Sequence, residues 1–262
     1  MKLRLISISI LAPLVIWANL APSPLPFQIV VLLAVGLALW EYARLLLPAR
    51  ERWLVVGLGF FWSALLMFLD GASGVLGVWV GITFLVVIAY MSRSDEPAER
   101  WGHLTIALFG INYIGTLLSH AGMVRTLPHG TGWVFFLLLG TWFADSAAYV
   151  VGHWIGRHKL APVLSPGKTI EGVIGGIVGS LAVVPLCHFW LFPEIPVAGG
   201  VCLALGVALV GPLGDLSESL VKRAIHVKDS GTMIPGHGGA LDRADALLFN
   251  APLVYYAVKY FL

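Results

Sequence analysis

The chain has 262 residues, of which 58% are hydrophobic and 11% charged, with a formal net charge of +2 and a mean hydropathy of +0.89. This composition excludes an ordinary soluble globular domain and points to a polytopic membrane protein. The small positive charge marks no nucleic-acid patch, so no nucleic-acid partner is expected.

Nine apolar stretches are long enough to span a bilayer core of about 30 Å. They run over 4–20, 27–46, 53–70, 72–91, 102–121, 132–151, 171–191, 196–214 and 246–262. Unpaired backbone groups are costly in lipid and the runs are too long for barrel strands, so they are read as helices. The expected fold is an all-α polytopic membrane protein with about nine transmembrane helices and two elaborated cytoplasmic loops. It forms a single domain over 1–262, with residues 1–130 as N-terminal helices and 131–262 carrying the catalytic helices and loops. The first stretch starts with basic residues like a signal peptide, but no small-x-small cleavage site follows it, so it is read as a retained helix. With the N-terminus inside, fourteen of the sixteen Lys and Arg residues fall on the inner side and only Arg125 and Lys259 outside, as the positive-inside rule requires. The C-terminus is then outside. The polar stretch 92–100, SRSDEPAER, reads as a solvated connector.

The sixth segment carries Asp145, an ionisable residue in an apolar run and hence a functional candidate. Gly152 and Gly156 suit close helix approach. The loop that follows contains SPGKT, which resembles the end of a phosphate-binding P-loop but has Pro162 where that motif needs a glycine. What remains is a donor cluster of Ser165, Lys168 and Thr169 just before a helix start, where phosphate is favoured. The seventh segment opens with Glu171 and places Gly172, Gly175, Gly176 and Gly179 on adjoining stripes suited to helix packing. Cys187 and Cys202 lack neighbouring histidines and read as small apolar residues.

Between Asp215 and Asp245 lies a polar cassette with nine of the chain's thirty formal charges. If the chain stays helical from Asp215 to about His226, then Asp215, Ser219, Lys222, Arg223 and His226 share one face. Glu218 falls off that face and reads as solvated. Pro235 and Gly236 break the chain, and Gly238 and Gly239 allow positive φ or close backbone approach to a ligand. Asp242 and Asp245 follow on the first turn of the last helix. Converging carboxylates beside cations suit magnesium that bridges phosphate oxygens.

The run S-x-x-K-R-x-x-x-x-K-D-x-x-x-x-x-P-G-H-G-G-x-x-D-R-x-D, from Ser219 through Asp245, resembles the signature of the phosphatidate cytidylyltransferases, also called CDP-diacylglycerol synthases. Ala144 to Tyr149 matches the family's Ala-Asp-x-x-Ala-Tyr segment, and Ser165 to Gly172 its Ser-Pro-Lys-Lys-Thr-x-Glu-Gly element. The sequence departs at Gly167, where the family carries lysine, and retains Lys168.

The resemblance implies that CTP and phosphatidate yield CDP-diacylglycerol and pyrophosphate at the inner membrane of a bacterium, with both motif loops cytoplasmic. It makes Asp215 and Asp242 the first choices for Mg2+ ligands, at a site for two cations, with Asp245 and Asp145 next. Lys222, Arg223, Lys228, Lys168 and Arg243 would neutralise phosphate, and Ser165, Thr169, Ser219, His237, Gly238 and Gly239 would contact it. The implied partners are CTP and membrane lipid, and a homodimer is an open arrangement. Two other classes stay on the table. An ion-coupled transporter should show two related halves with broken helices, which this chain lacks. A lipid or polyprenol kinase, or a CDP-lipid synthase with a different lipid acceptor, would share the composition, and the residues do not choose between CTP and ATP.

Overall fold

The computed structural model describes residues 2–69, 72–193, 195–231, 233 and 238–262. Among these, nine helical rods follow the nine apolar stretches: α1 Lys2–Leu20, α2 Leu25–Leu46, α3 Ala49–Phe68, α4 Ala72–Met91, α5 Pro97–Val124, α6 Gly130–Ile155, α7 Ile170–Leu191, α8 Val197–Ala224 and α9 Leu241–Phe261. Six of them, α2, α3, α5, α6, α7 and α8, are long and apolar enough to cross a membrane. The chain is therefore a largely helical membrane protein. Two rods carry π-helical turns, at Ile111–Thr116 in α5 and Leu186–Leu191 in α7. The first is held from α3, where Trp62 Nε1 donates to Thr116 Oγ1 at 2.8 Å and Ser63 Oγ to the Gly115 carbonyl at 3.0 Å. These bonds engage polar groups of the widened turn inside the bundle.

The main core runs through α2, α5, α6, α8 and α9, where Val35, Leu39, Ile114, Phe136, Leu137, Val207 and Leu248 are fully buried. Within a bilayer, lipid tails are as apolar as these side chains, so close fit and hydrogen bonds decide which helices associate. One such close fit runs between α6 and α7. A Cβ added at Gly175 would lie 2.6 Å from Val151 Cβ, one at Gly172 2.9 Å from the Ala148 carbonyl oxygen, and one at Gly179 2.6 Å from Ala147 Cβ. Gly152 faces the same seam, 2.9 Å in the same sense from Thr169 Oγ1. The glycine stripes are thus the surface along which α7 lies on α6, as the spacing suggests. Cys187 is buried and Cys202 exposed, and both are free.

The structure departs from the sequence expectation at three places. Between α6 and α7 the chain forms an antiparallel hairpin, β1 Lys159–Ala161 and β2 Ser165–Thr169, with Lys159 opposite Thr169 and Ala161 opposite Ser165. A five-residue strand containing proline and glycine gives no alternation to recognise. Next, α8 ends at Ala224, and His226 adopts φ 57° in the left-handed region, so His226 leaves the stripe that begins at Asp215. Finally, the 92–100 stretch is anchored. Arg93 Nη1 reaches Glu51 Oε1 at 3.0 Å, His103 Nδ1 lies 3.2 Å from Glu51 Oε2, and Arg50 pairs with Asp95 at 2.5 Å. Glu51 is fully buried at the start of α3, so this connector is a clamp that ties α3 to the ends of α4 and α5. The Arg50 hydrogen bond holds the Asp95 carboxyl below its ordinary range.

The seam between α6 and α7 gives a direct test. Gly179→Val should lower stability by about 1–3 kcal/mol, because overpacking forces backbone apart. Gly167→Ala, where nothing lies within 4 Å of an added Cβ, should stay within about 0.5 kcal/mol. Thermal unfolding in detergent compares the two, and equal effects would show that the glycine stripe is not a packing surface.

Candidate active site

The hairpin places Lys168 over α8. Its last residue, Thr169, is the N-cap of α7, with Oγ1 accepting from Gly172 N at 3.1 Å. The other end of the loop is fixed by Glu171, whose carboxylate accepts from the backbone N–H groups of Arg157 at 3.1 Å and His158 at 3.2 Å, and lies 2.6 Å from His158 Nδ1. So constrained, Lys168 Nζ donates to Asp215 Oδ2 at 2.6 Å and to the Pro212 carbonyl at 3.3 Å. Thr169 is 4% exposed and its hydroxyl oxygen serves as a cap, which leaves its O–H proton as the group that could donate to phosphate. Ser165 lies at the partly exposed start of β2.

Around the Lys168–Asp215 pair, aspartates from two further helices lie within electrostatic reach of Asp215. Asp145 of α6 is solvent-accessible and feels the charges of Asp215 and Lys168. Asp245 of α9 feels those of Asp215, Glu218 and Asp145. Asp215 Oδ1 is buried, with no hydrogen-bond partner among the described residues. An ionised oxygen in that position is costly unless a cation or donor arrives. Among the described residues no three His, Cys, Asp or Glu side chains converge closely enough to enclose a metal ion by themselves.

One turn further along α8, Lys222 Nζ joins two carboxylates, Glu218 Oε2 at 2.8 Å and Asp242 Oδ1 at 2.7 Å. Glu218 is 1% exposed, which corrects its reading as a solvated side chain. Its helix face turns toward α9, and Lys222 is the cation it meets among the described residues. Asp242 Oδ2 accepts from Ser230 N at 3.0 Å and Gly239 N at 2.9 Å, so the aspartate that opens α9 also gathers the cassette's returning chain. Gly238 adopts φ 86°, as a glycine there permits. Arg223 is exposed and its Nε reaches the Leu164 carbonyl in the hairpin turn at 3.4 Å. Ser219 is half-buried on the Asp215 face, Lys228 and Arg243 are exposed, and His237 lies outside the described residues, as do Pro235 and Gly236. Composition-based reasoning missed Glu41, Tyr113 and Ser217. Tyr113 Oη and Ser217 Oγ are 2.8 Å apart below Asp215, while Glu41 is an acidic residue near the end of an apolar run, the same signal that marked Asp145.

A cytidylyltransferase family model matches residues 2–261. The chain is 32% identical over 273 residues to a phosphatidate cytidylyltransferase of Bacillus subtilis, covering 100% of this chain and 98% of that protein. This chain belongs to the cytidylyltransferase family. It is also 42% identical over 187 residues to a phosphatidate cytidylyltransferase of Staphylococcus saprophyticus, covering 68% of this chain and 70% of the relative. A relative of the same name from Synechocystis is 50% identical over 118 residues, or 45% of this chain and 40% of that protein.

Lys222 carries a testable structural burden. Replacing it by Met leaves Glu218 and Asp242 facing each other without a cation, which should cost about 3–5 kcal/mol. Adding Glu218→Gln should restore part of the loss, because only one charge then remains. Urea unfolding of the purified variants in detergent measures both, and a Lys222→Met protein as stable as wild type would break the argument.

Proposed function

We propose that this membrane cytidylyltransferase uses CTP and phosphatidate, forming CDP-diacylglycerol and pyrophosphate. The observation that carries this reading is the Lys168–Asp215 pair beside Asp145 and Asp245, which sets cations and open carboxylate oxygens together at one end of an apolar bundle. Membership of the family, and a relative of that name aligned along the whole chain, support it. A phosphatidate oxygen attacks the α-phosphorus of CTP, the bond from that phosphorus to the β-bridging oxygen breaks, and pyrophosphate leaves with the electron pair. The attacking oxygen is already ionised, so no general base is required and the protein's work is positioning and charge stabilisation.

Asp215, Asp242 and Asp245 are the residues we assign to Mg2+. The buried, unpartnered Asp215 Oδ1 fits such a cation, which would complete its shell with substrate phosphates and water. When bound, the ion would neutralise charge developing on the phosphate oxygens. Lys168 is held on Asp215 and Lys222 between Glu218 and Asp242, and Arg223, Lys228 and Arg243 are exposed at the same end of α8 and α9. Asp145, with Ser165 and Ser219, completes the polar lining. We read the nine rods as nine membrane passes with this end in the cytoplasm and the C-terminus outside, because fourteen basic residues sort to the inner side.

Purified protein in mixed micelles, given phosphatidate, Mg2+ and each of four labelled nucleotides in turn, should convert CTP alone to a labelled lipid. Asp215→Asn should reduce kcat at least about 100-fold, roughly 3 kcal/mol of transition-state stabilisation, with an unchanged unfolding midpoint. Label transferred from the γ-position of ATP to lipid would instead establish a kinase. Reporter fusions after α6 and α9 should place their fusion points on the inner and outer sides respectively, and a cassette found outside would remove CTP as substrate.

A further inference from the structure

From the packing of the N-terminal half against the cassette, we infer that Glu41 is a positioning residue for the reaction, acting through Ser230 and the start of α9 on Asp242. The inference rests on the proposed function for the role of Asp242 and adds a residue outside every motif of the C-terminal half. Glu41 lies near the C-terminal end of α2, is 2% exposed, and is buried between α2 and the cassette. Its Oε2 accepts from Leu241 N at 3.0 Å, a contact across 200 residues of sequence, and from Ser230 Oγ at 3.3 Å.

Leu241 is the first residue of α9, and α9 has no side-chain cap from its own N-cap residue, Ala240. Glu41 therefore supplies from another helix the anionic acceptor that a helix N-terminus favours. Ser230 divides its two donors between two carboxylates: its hydroxyl goes to Glu41 and its backbone N–H to Asp242 Oδ2. Gly239, which also donates to Asp242, sits so close that a Cβ there would lie 2.5 Å from Glu41 Oε2, and one at Gly231 would lie 2.6 Å from Glu41 Oε1. The cassette leaves at Ser230 and returns at Gly239, and both ends are pinned over one carboxylate of α2. Asp242 takes its orientation from the same two residues. Removing Glu41 frees Ser230 and the α9 terminus together, and Asp242 loses the frame that aims it. A carboxylate buried only to hold the bundle together would not need to meet the cassette at both of its ends.

The test compares Glu41→Ala, which removes the acceptor, with Glu41→Gln, which keeps an acceptor oxygen of the same reach. In the full-length protein Glu41→Ala should lower kcat at least about tenfold with KM for CTP and phosphatidate within about twofold, and Glu41→Gln should recover to within about threefold of wild type. Ser230→Ala should lower kcat in the same direction, and adding it to Glu41→Ala should cost nothing further, since the two act as one unit. Hydrogen exchange of Ser230, Gly239 and Leu241 amides should quicken in Glu41→Ala while amides in the middle of α2 keep their protection. The inference is overturned if Glu41→Ala turns over at the wild-type rate, if the two losses add, or if exchange quickens along all of α2 and α9 alike. Should Glu41→Ala not fold, the Glu41→Gln and Ser230→Ala proteins decide by the same measurements. Inactivity of the wild-type protein towards CTP and phosphatidate would sink the proposed function, and the exchange comparison would still decide whether Glu41 holds the cassette.

Discussion

Carboxylates gathered at the end of an apolar bundle stay charged together only if each has a cation or a set of amide donors to face, and the end of this protein that carries the hairpin and the cassette is organised around that constraint. Lys168 stands against Asp215, and Lys222 between Glu218 and Asp242. Asp242 also draws in the amides of Ser230 and Gly239. Asp215 Oδ1 is buried and has no partner among the described residues, beside two other aspartates that feel its charge. Glu218 Oε1 and Glu41 Oε1 are likewise buried without a partner, so the carboxylates at this end of the bundle hold acceptor capacity that the described residues do not use.

The same charges dictate how the backbone is built. Lys168 can meet Asp215 only if the loop after α6 turns back over α8, and the hairpin does this within a few residues because Glu171 binds its incoming amides and Thr169 caps the helix that follows. The α6–α7 seam has to be close for that geometry to hold. A side chain at Gly172 would push against the Ala148 carbonyl and displace the very turn that carries the cap. The glycines and the lysine are therefore one device, in which helix approach distance sets where a cation lands.

Much of this was legible in the sequence and some was not, for physical reasons. Apolar length gave the helical rods, because span length is a one-dimensional property. The local motif residues also emerged, since Asp215, Lys222 and Asp242 stand out as charges in an oily chain. Glu218 did not, because whether an acidic residue one position off a stripe is wet or buried depends on where α9 packs, which no spacing reports. The end of α8 before His226 was hidden for a similar reason: with no proline or glycine to stop the helix, the turn is set by where Val227 and Ser230 must go to reach their partners. Val227 N donates to the Lys222 carbonyl at 3.0 Å, closing the helix in a left-handed turn at His226. The 92–100 connector looked solvated because its charges were counted without Glu51, forty residues away, which they surround.

A reaction between a water-soluble triphosphate and a lipid headgroup needs a site that both can reach without either changing phase. Asp145 and Tyr149 lie on the accessible side of α6, with Trp142 on the same stretch, and Tyr149 is 73% exposed. Aromatic side chains of this kind favour the headgroup depth of a bilayer, where one end is apolar and the other wet. The lysines, by contrast, reach the site from the loop side, on the hairpin and at the end of α8. An anionic lipid arriving along α6 and a nucleotide arriving from the loops would meet at Asp215, between the two. With the open carboxylate oxygen at that junction, and not deeper in the bundle, the proposed chemistry would proceed without carrying a triphosphate into the hydrocarbon, where the desolvation cost would be several kcal/mol per charge at the least.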